Sequence, residues 1–344
     1  MTKTSKLFKT DNMYSRFCSL ILPKKYLRAK FSCGLVYIIV TATLLGSHTS
    51  YAATDACTTS DGGVTYTCST QNNAQTQTIT ATGATTISVS PVSSIVYQSS
   101  QAGGLTANGA SNNITFQSSS SSNLIDVQSS SGNVITVNTG SGDINIGGSG
   151  SFQGTLKALG GDGFNLSTTN GAITVNNAAS LSLKGSGITT DSSSAGNISI
   201  TNSGNISALV GSTGNGLKAR TTGAGTISVT NSGSLGGTRR VGSNGIEVTV
   251  NGSGAAGTIN VTNTGAILST ASGINATAVN GAITITNSSS INTSASYADG
   301  IIANTTGGGA ISITNQAGGD IVTNHHAIHG YGNPSSVSIT NNAT

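Results

Sequence analysis

The chain has 344 residues, of which 47 are Gly; 7% are charged, 4% are aromatic and none is Trp. Its formal charge of +4 comes from the first 30 residues, where Lys3, Lys6, Lys9, Arg16, Lys24, Lys25, Arg28 and Lys30 stand against Asp11 alone. From residue 53 onward six basic side chains face nine acidic ones, so little remains to follow a phosphate backbone, and nucleic acid is not an expected partner.

The basic stretch leads into an apolar run, Leu35-Val36-Tyr37-Ile38-Ile39-Val40 through Leu44-Leu45, and closes on Ser50-Tyr51-Ala52. A basic segment, a short apolar core and small residues at the −3 and −1 positions are the three parts of a secretory signal. Residues 1–52 are therefore read as an extended signal peptide cut after Ala52, with Ala53 as the alternative cleavage position. A membrane anchor is the competing assignment. The apolar core is near the lower limit for spanning a bilayer, however, and Gly46, Ser47 and His48 interrupt it. The basic segment is long, so either Met1 begins an extended leader or Met13 is the true start.

Residues 53–101 form a less regular stretch, expected to be an N-terminal cap region, with disorder as the competing reading as far as about residue 130. Cys18 and Cys33 leave with the leader. The exported chain keeps Cys57 and Cys68, an even pair that reads as a structural disulfide closing a short loop. Zinc is a poor alternative at that spacing with no histidine nearby.

A seven-residue phrase then recurs. It reads Gly196-Asn197-Ile198-Ser199-Ile200-Thr201-Asn202 and returns at 225–231, 257–263, 281–287 and 309–315. A relaxed copy spans 171–177, and a final one ends in Val337-Ser338-Ile339-Thr340-Asn341. Such a period marks a stacked-repeat architecture. Within the phrase the aliphatic residues alternate with small polar ones, the pattern of a half-buried strand with one apolar face. A second aliphatic segment follows each phrase (Asn205-Ile206, Ser234-Leu235, Ser290-Ile291). A Gly-aliphatic segment precedes it: Gly163-Phe164, Gly187-Ile188, Gly216-Leu217, Gly245-Ile246, Gly273-Ile274 and Gly300-Ile301, ending in Ala327-Ile328. The glycines of that series are 24, 29, 29, 28 and 27 residues apart.

Three short strands in each unit of about 24–29 residues predict an all-β fold, a right-handed parallel β-helix over 102–344 with one unit per coil. Stacking places like on like, so the aliphatic positions become internal ladders. The closing Asn of each phrase is placed to form an amide ladder between coils. Gly and Asn at the corners are expected to supply positive φ. Residues 53–344 correspond to roughly ten or eleven coils and a rod about 50 Å long at about 4.8 Å per layer. The sequence breaks off at Asn342-Ala343-Thr344, which reads as truncation within a coil and an end able to self-associate.

The basic leader, the Cys57/Cys68 pair and the reiterated G-x-I-x-[IV]-T-N units resemble the passenger domains of bacterial type V autotransporters, in particular adhesin-like passengers of alphaproteobacteria. The resemblance implies passage through the periplasm and outer membrane to the cell surface or medium, with host-cell or matrix molecules as partners. It also implies an outer-membrane translocator barrel of alternating strands with aromatic girdles, a region missing from this sequence, where the aromatics Tyr66, Tyr97, Phe116, Phe152, Phe164, Tyr297 and Tyr331 are scattered. The chain is thus expected to be a passenger fragment, a truncated product or half of a split system.

Enzymatic chemistry is not expected. Asp162 and Asp299 share a register, each before an upstream Gly, but lie about five coils apart, and no G-x-S-x-G elbow is present. No catalytic residue, cofactor or metal ion is assigned. His325-His326-Ala327-Ile328-His329 reads as structural, since no acid is close in sequence and strand neighbours alternate faces. Lys218, Arg220, Arg239 and Arg240 read as solvated turn residues, with a local basic patch as the alternative. A β-helical polysaccharide-degrading enzyme is the alternative function, and a non-functional remnant a further one. The outward Ser and Thr of the phrases form a flat hydroxyl array suited to glycans or ice, although such residues also serve solubility.

Overall fold

The computed structural model describes residues 54–343, with 253 and 255 excepted. Three sheets run the length of this region. The first holds the phrase strands, from Thr65–Cys68 through Ile198–Asn202 and Ile227–Asn231 to Val337–Asn341. The second runs from Gln71–Ala74 to Ile321–Val322 and holds the segments after each phrase. The third runs from Gln77–Thr80 to Ile328–Gly332 and holds the Gly-aliphatic segments. Each coil gives one strand to each sheet, so hydrogen-bonded neighbours lie three strands apart in the chain and run parallel. No helix occurs among the described residues. The parallel β-helix is therefore the fold of this chain, with ten strands in each of two sheets and twelve in the other.

The register is strict. Ile198, Ile227, Ile259, Ile283, Ile311 and Val337 form one column of the first sheet, and Ile200, Val229, Val261, Ile285, Ile313 and Ile339 form another. The third sheet stacks Ile135, Phe164, Ile188, Leu217, Ile246, Ile274, Ile301 and Ile328. Except for the members nearest the C-terminus, these side chains are buried. A one-residue slip in any strand would turn its whole aliphatic set to solvent, which pins the register.

Coils begin earlier than the repeat suggests. Within the stretch expected to be a cap, Thr65–Cys68 already pairs in parallel with Thr85–Val89, and Gln77–Thr80 with Leu105–Ala110. Among the described strands only Cys57–Thr59 is antiparallel; it folds back on Thr65–Cys68 and places Cys57 opposite Cys68, to which it is disulfide-bonded. The early coils hide their periodicity because they fill the interior with larger and less regular side chains. The three Phe residues that look scattered in sequence meet there: Phe152 lies 5.6 Å from Phe116 and 5.3 Å from Phe164, the second pair edge to face.

The upstream glycines answer to space and not to dihedral freedom. None of Gly163, Gly187, Gly216, Gly245, Gly273 and Gly300 has positive φ, and positive φ among the described non-glycine residues falls on Val92 and Ala110, on no Asn. A Cβ at each of the six would lie 2.5–2.7 Å from the carbonyl oxygen of its counterpart in the next coil. The glycines that open each phrase are tighter still: a Cβ on Gly225 would meet the Gly196 oxygen at 2.3 Å, and one on Gly281 the Gly257 oxygen at 1.7 Å. At these glycines the backbones of successive coils stack in close contact at two corners, with Val134 and Ala327 in the same column as the upstream series.

Candidate functional site

Two polar ladders cross the coils and set the positions of the outward groups. The first is the predicted amide ladder. Asn177, Asn202, Asn231, Asn263, Asn287, Asn315 and Asn341 each bond to the next at 2.8 Å, Nδ2 donating to Oδ1. The second donor hydrogen of each of the first six amides goes to a corner carbonyl, as from Asn231 to Gly233 at 2.9 Å. All but Asn341 are buried. Because every donor has a partner, burying these amides carries no uncompensated desolvation.

The second ladder lies at the corner before the third sheet, in the column Asn133, Asp162, Ser186, Asn215, Asn244, Ser272, Asp299 and His326. Each side chain up to Asp299 accepts the backbone N–H of the residue one coil on, from Asn133 Oδ1 with Asp162 at 2.9 Å to Asp299 Oδ1 with His326 at 3.0 Å. Asp162 and Asp299 therefore share a column, as their register implied. Five coils at about 4.8 Å separate them, too far for two carboxylates to act on one glycosidic bond. Thr189 also donates to Asp162 Oδ2, at 2.9 Å.

The outer faces differ in chemistry. On the first sheet, Ser199, Ser228, Asn260, Thr284, Ser312 and Ser338 align in one outward column, and Thr201, Thr230, Thr262, Thr286, Thr314 and Thr340 in the next. The two columns make a flat lattice of hydroxyls about 4.8 Å apart between coils and about 6.7 Å apart along each strand. On the third sheet, charged neighbours are paired off between coils: Arg220 Nε lies 3.1 Å from Asp191 Oδ2, and Lys218 Nζ 3.4 Å from Glu247 Oε1. Arg240 reaches over to the carbonyl and side-chain oxygens of Asn292, both at 2.7 Å. With Lys218, Arg220 and Arg240 so engaged, these residues make no free basic patch.

Among the described residues, one cluster of ionisable groups was concealed by sequence distance. Asp299 is the only charged side chain among the buried described residues, 4% exposed. The next coil lays three imidazoles over it. His325 Nδ1 lies 2.7 Å from Oδ1, His326 Nδ1 3.1 Å from Oδ1, and His329 Nδ1 3.6 Å from Oδ2. Corner and strand cooperate here. His326 takes the corner position after Asp299, and His329 stands outward beside Ile302 on the third sheet.

A carboxylate only accepts, so the ring nitrogens of His325 and His326 that face Asp299 donate. Burial pushes the Asp299 carboxyl up, but the His325 ring, the His326 backbone N–H, the His326 ring and the charge of His325 outweigh it and hold the group below its ordinary value. His329 Nδ1 is buried and has no hydrogen-bond partner. The rings pack on one another, with His326 and His329 centroids 4.5 Å apart and Tyr331 stacked on His329 at 4.7 Å. Tyr297 meets His325 edge-on at 5.9 Å. The acid missing near the histidines in sequence is supplied by the coil beneath.

Comparison with known proteins adds no further constraint: no family model, curated protein or solved structure matches this chain.

Proposed function

We propose that the chain is an exported surface module, an adhesin-like passenger in which the β-helix serves as a stiff display rod. The observation that carries the reading is the hydroxyl lattice of the first sheet. Six successive coils hold Thr201, Thr230, Thr262, Thr286, Thr314 and Thr340 in register while the same strands, the last excepted, bury their aliphatic and Asn side chains. A rigid, nearly uncharged hydroxyl face presents many weak hydrogen-bonding groups at fixed spacing, which favours extended polyhydroxylated partners such as cell-surface or matrix glycans. The leader read in residues 1–52 supports export, which makes Ala53, or Thr54, the first residue of the mature chain. In the last coil Val337 and Ile339 are 44% and 45% exposed, an open apolar sheet face on which a second copy of the chain can stack.

The test is attachment of beads coated with residues 53–344 to epithelial cells and to matrix proteins. Saturable attachment is expected, with loss in the triple variant Thr230→Lys, Thr262→Lys, Thr286→Lys that keeps its sheet circular dichroism. Absence of attachment, or attachment indifferent to the three lysines, contradicts the reading.

A further inference from the structure

We propose that Asp299, His326 and His329 form a binding site for a divalent first-row transition-metal ion, which clamps two successive coils of the β-helix. One ligand atom from each of the three residues can be chosen such that all lie within 4.8 Å of one another. In a tetrahedral site with metal–nitrogen and metal–oxygen distances of about 2.0–2.1 Å, ligand atoms sit about 3.3 Å apart. The His326 Nδ1 lies 3.1 Å from Asp299 Oδ1 and the His329 Nδ1 3.6 Å from Asp299 Oδ2, so each ring nitrogen stands near that spacing from one of the two carboxylate oxygens. Small rotations of two rings complete the site.

Two observations separate this cluster from an ordinary buried ion pair. His329 Nδ1 is buried, unpartnered and turned toward a carboxylate oxygen beyond hydrogen-bonding reach, the position a ligand atom occupies when the ion is what it bonds. The carboxylate is also already fixed from behind, because Oδ1 accepts the His326 backbone N–H at 3.0 Å as one rung of the corner ladder. Metal-binding carboxylates are commonly held by such a second hydrogen bond. Stacking on Tyr331 orients the His329 ring in the same way.

The donor set decides the class of ion. Two imidazoles and one carboxylate suit Zn(II), Fe(II), Ni(II) or Cu(II), whereas Ca(II) and Mg(II) call for all-oxygen shells. A neutral imidazole binds the ion through an unprotonated Nδ1 and carries its single proton on Nε2 of the same ring. Coordination positions left by the three ligands take water. Because Asp299 belongs to one coil and both histidines to the next, the bound ion adds a crosslink between layers already joined by strand pairing and the side-chain ladders.

The experiment is isothermal titration of the full chain, purified without a polyhistidine tag, with Zn(II), Ni(II) and Ca(II) at pH 7.5, together with hydrogen exchange over residues 326–341. The expected result is one Zn(II) per chain, no response to Ca(II), and increased exchange protection of 326–341 with Zn(II). His326→Ala and His329→Ala should each weaken binding at least tenfold. Asp299→Asn, which still accepts the corner hydrogen bond, should do the same, while His325→Ala changes binding less than threefold. Lack of saturable Zn(II) binding, binding untouched by His326→Ala and His329→Ala, or loss only in His325→Ala overturns the proposal. Circular dichroism of each variant separates lost ligands from lost fold.

Discussion

Asn231 donates its side-chain amide to Asn263, 32 residues away in sequence and one coil away in space, at 2.8 Å. The same bond recurs between every adjacent pair of phrases, so one residue type at one position in the repeat builds a continuous polar spine inside an aliphatic core. Its interior members should therefore matter more than its end. Asn231→Ala leaves the Asn202 donor and the Asn263 oxygen without partners, and is expected to cost about 2–4 kcal/mol. Asn341→Ala, at the exposed end, should cost under about 1 kcal/mol. Urea unfolding of the two variants checks the difference, and equal midpoints would count against a cooperative ladder.

Close stacking of glycine corners gives a second expectation. Gly245→Ala sets a Cβ 2.6 Å from the Gly273 oxygen and 2.3 Å from Ile267 Cγ2, so a destabilisation of about 1–3 kcal/mol is expected from overpacking. Gly83→Ala meets nothing within 4 Å, and φ at Gly83 is not positive. That variant should unfold like the parent protein. Thermal melts of the pair decide whether space governs these positions.

The first turn offers a pH-dependent reporter. Asp61 accepts the Thr65 N–H at 2.8 Å, the Thr59 hydroxyl at 2.9 Å and the Val64 N–H at 3.2 Å. The Thr65 N–H foremost, then the hydroxyls of Thr59 and Thr65, bring the carboxyl from 3.8 down to about 2. A depressed folded-state value stabilises the turn above the ordinary carboxylate range, and that contribution is lost as pH falls from 3.8 toward 2. Protection of the Val64 and Thr65 amides, taken relative to intrinsic exchange at each pH, should fall across that window in the parent protein and stay flat in Asp61→Asn.

The disulfide should act locally. Each coil of a solenoid touches only its neighbours, so effects of a broken crosslink decay along the stack. Joint substitution Cys57→Ser and Cys68→Ser is expected to lower hydrogen-exchange protection in 57–89 and leave strands from Ile198 onward unchanged. Uniform loss of protection along the rod would show a longer cooperative unit than nearest-neighbour stacking predicts.

Much of this architecture is written in the chain because stacking converts sequence period into spatial column. Ile198, Ile227 and Ile259 look alike because they occupy one environment, and the closing Asn of each phrase is readable as a ladder for the same reason. What stayed hidden has the opposite origin. Phe116, Phe152 and Phe164 come from different sheets and connections of irregular early coils, so no fixed spacing marks their contact. Asp299 and the three histidines are 26–30 residues apart in coils of unequal length, and no other coil carries that combination. The shared register of Asp162 and Asp299 was the one available clue, since it placed Asp299 at the corner where the following coil sets His326. The role of the upstream glycines was not legible either, because a strict Gly column is equally consistent with positive φ, which Gly147, Gly211 and Gly236 do adopt, and with backbone contact.

In-register stacking can be measured directly by pulsed electron resonance between spin labels in the outward Thr column. Labels at Thr201 and Thr286 span three coils and labels at Thr201 and Thr340 span five, which gives backbone separations of about 14 and 24 Å at about 4.8 Å per layer. The β-helix requires the distance to grow by one layer spacing for each coil inserted between the labels, whatever the number of intervening residues. Distances that track residue number, or that scatter broadly without steps, would contradict it.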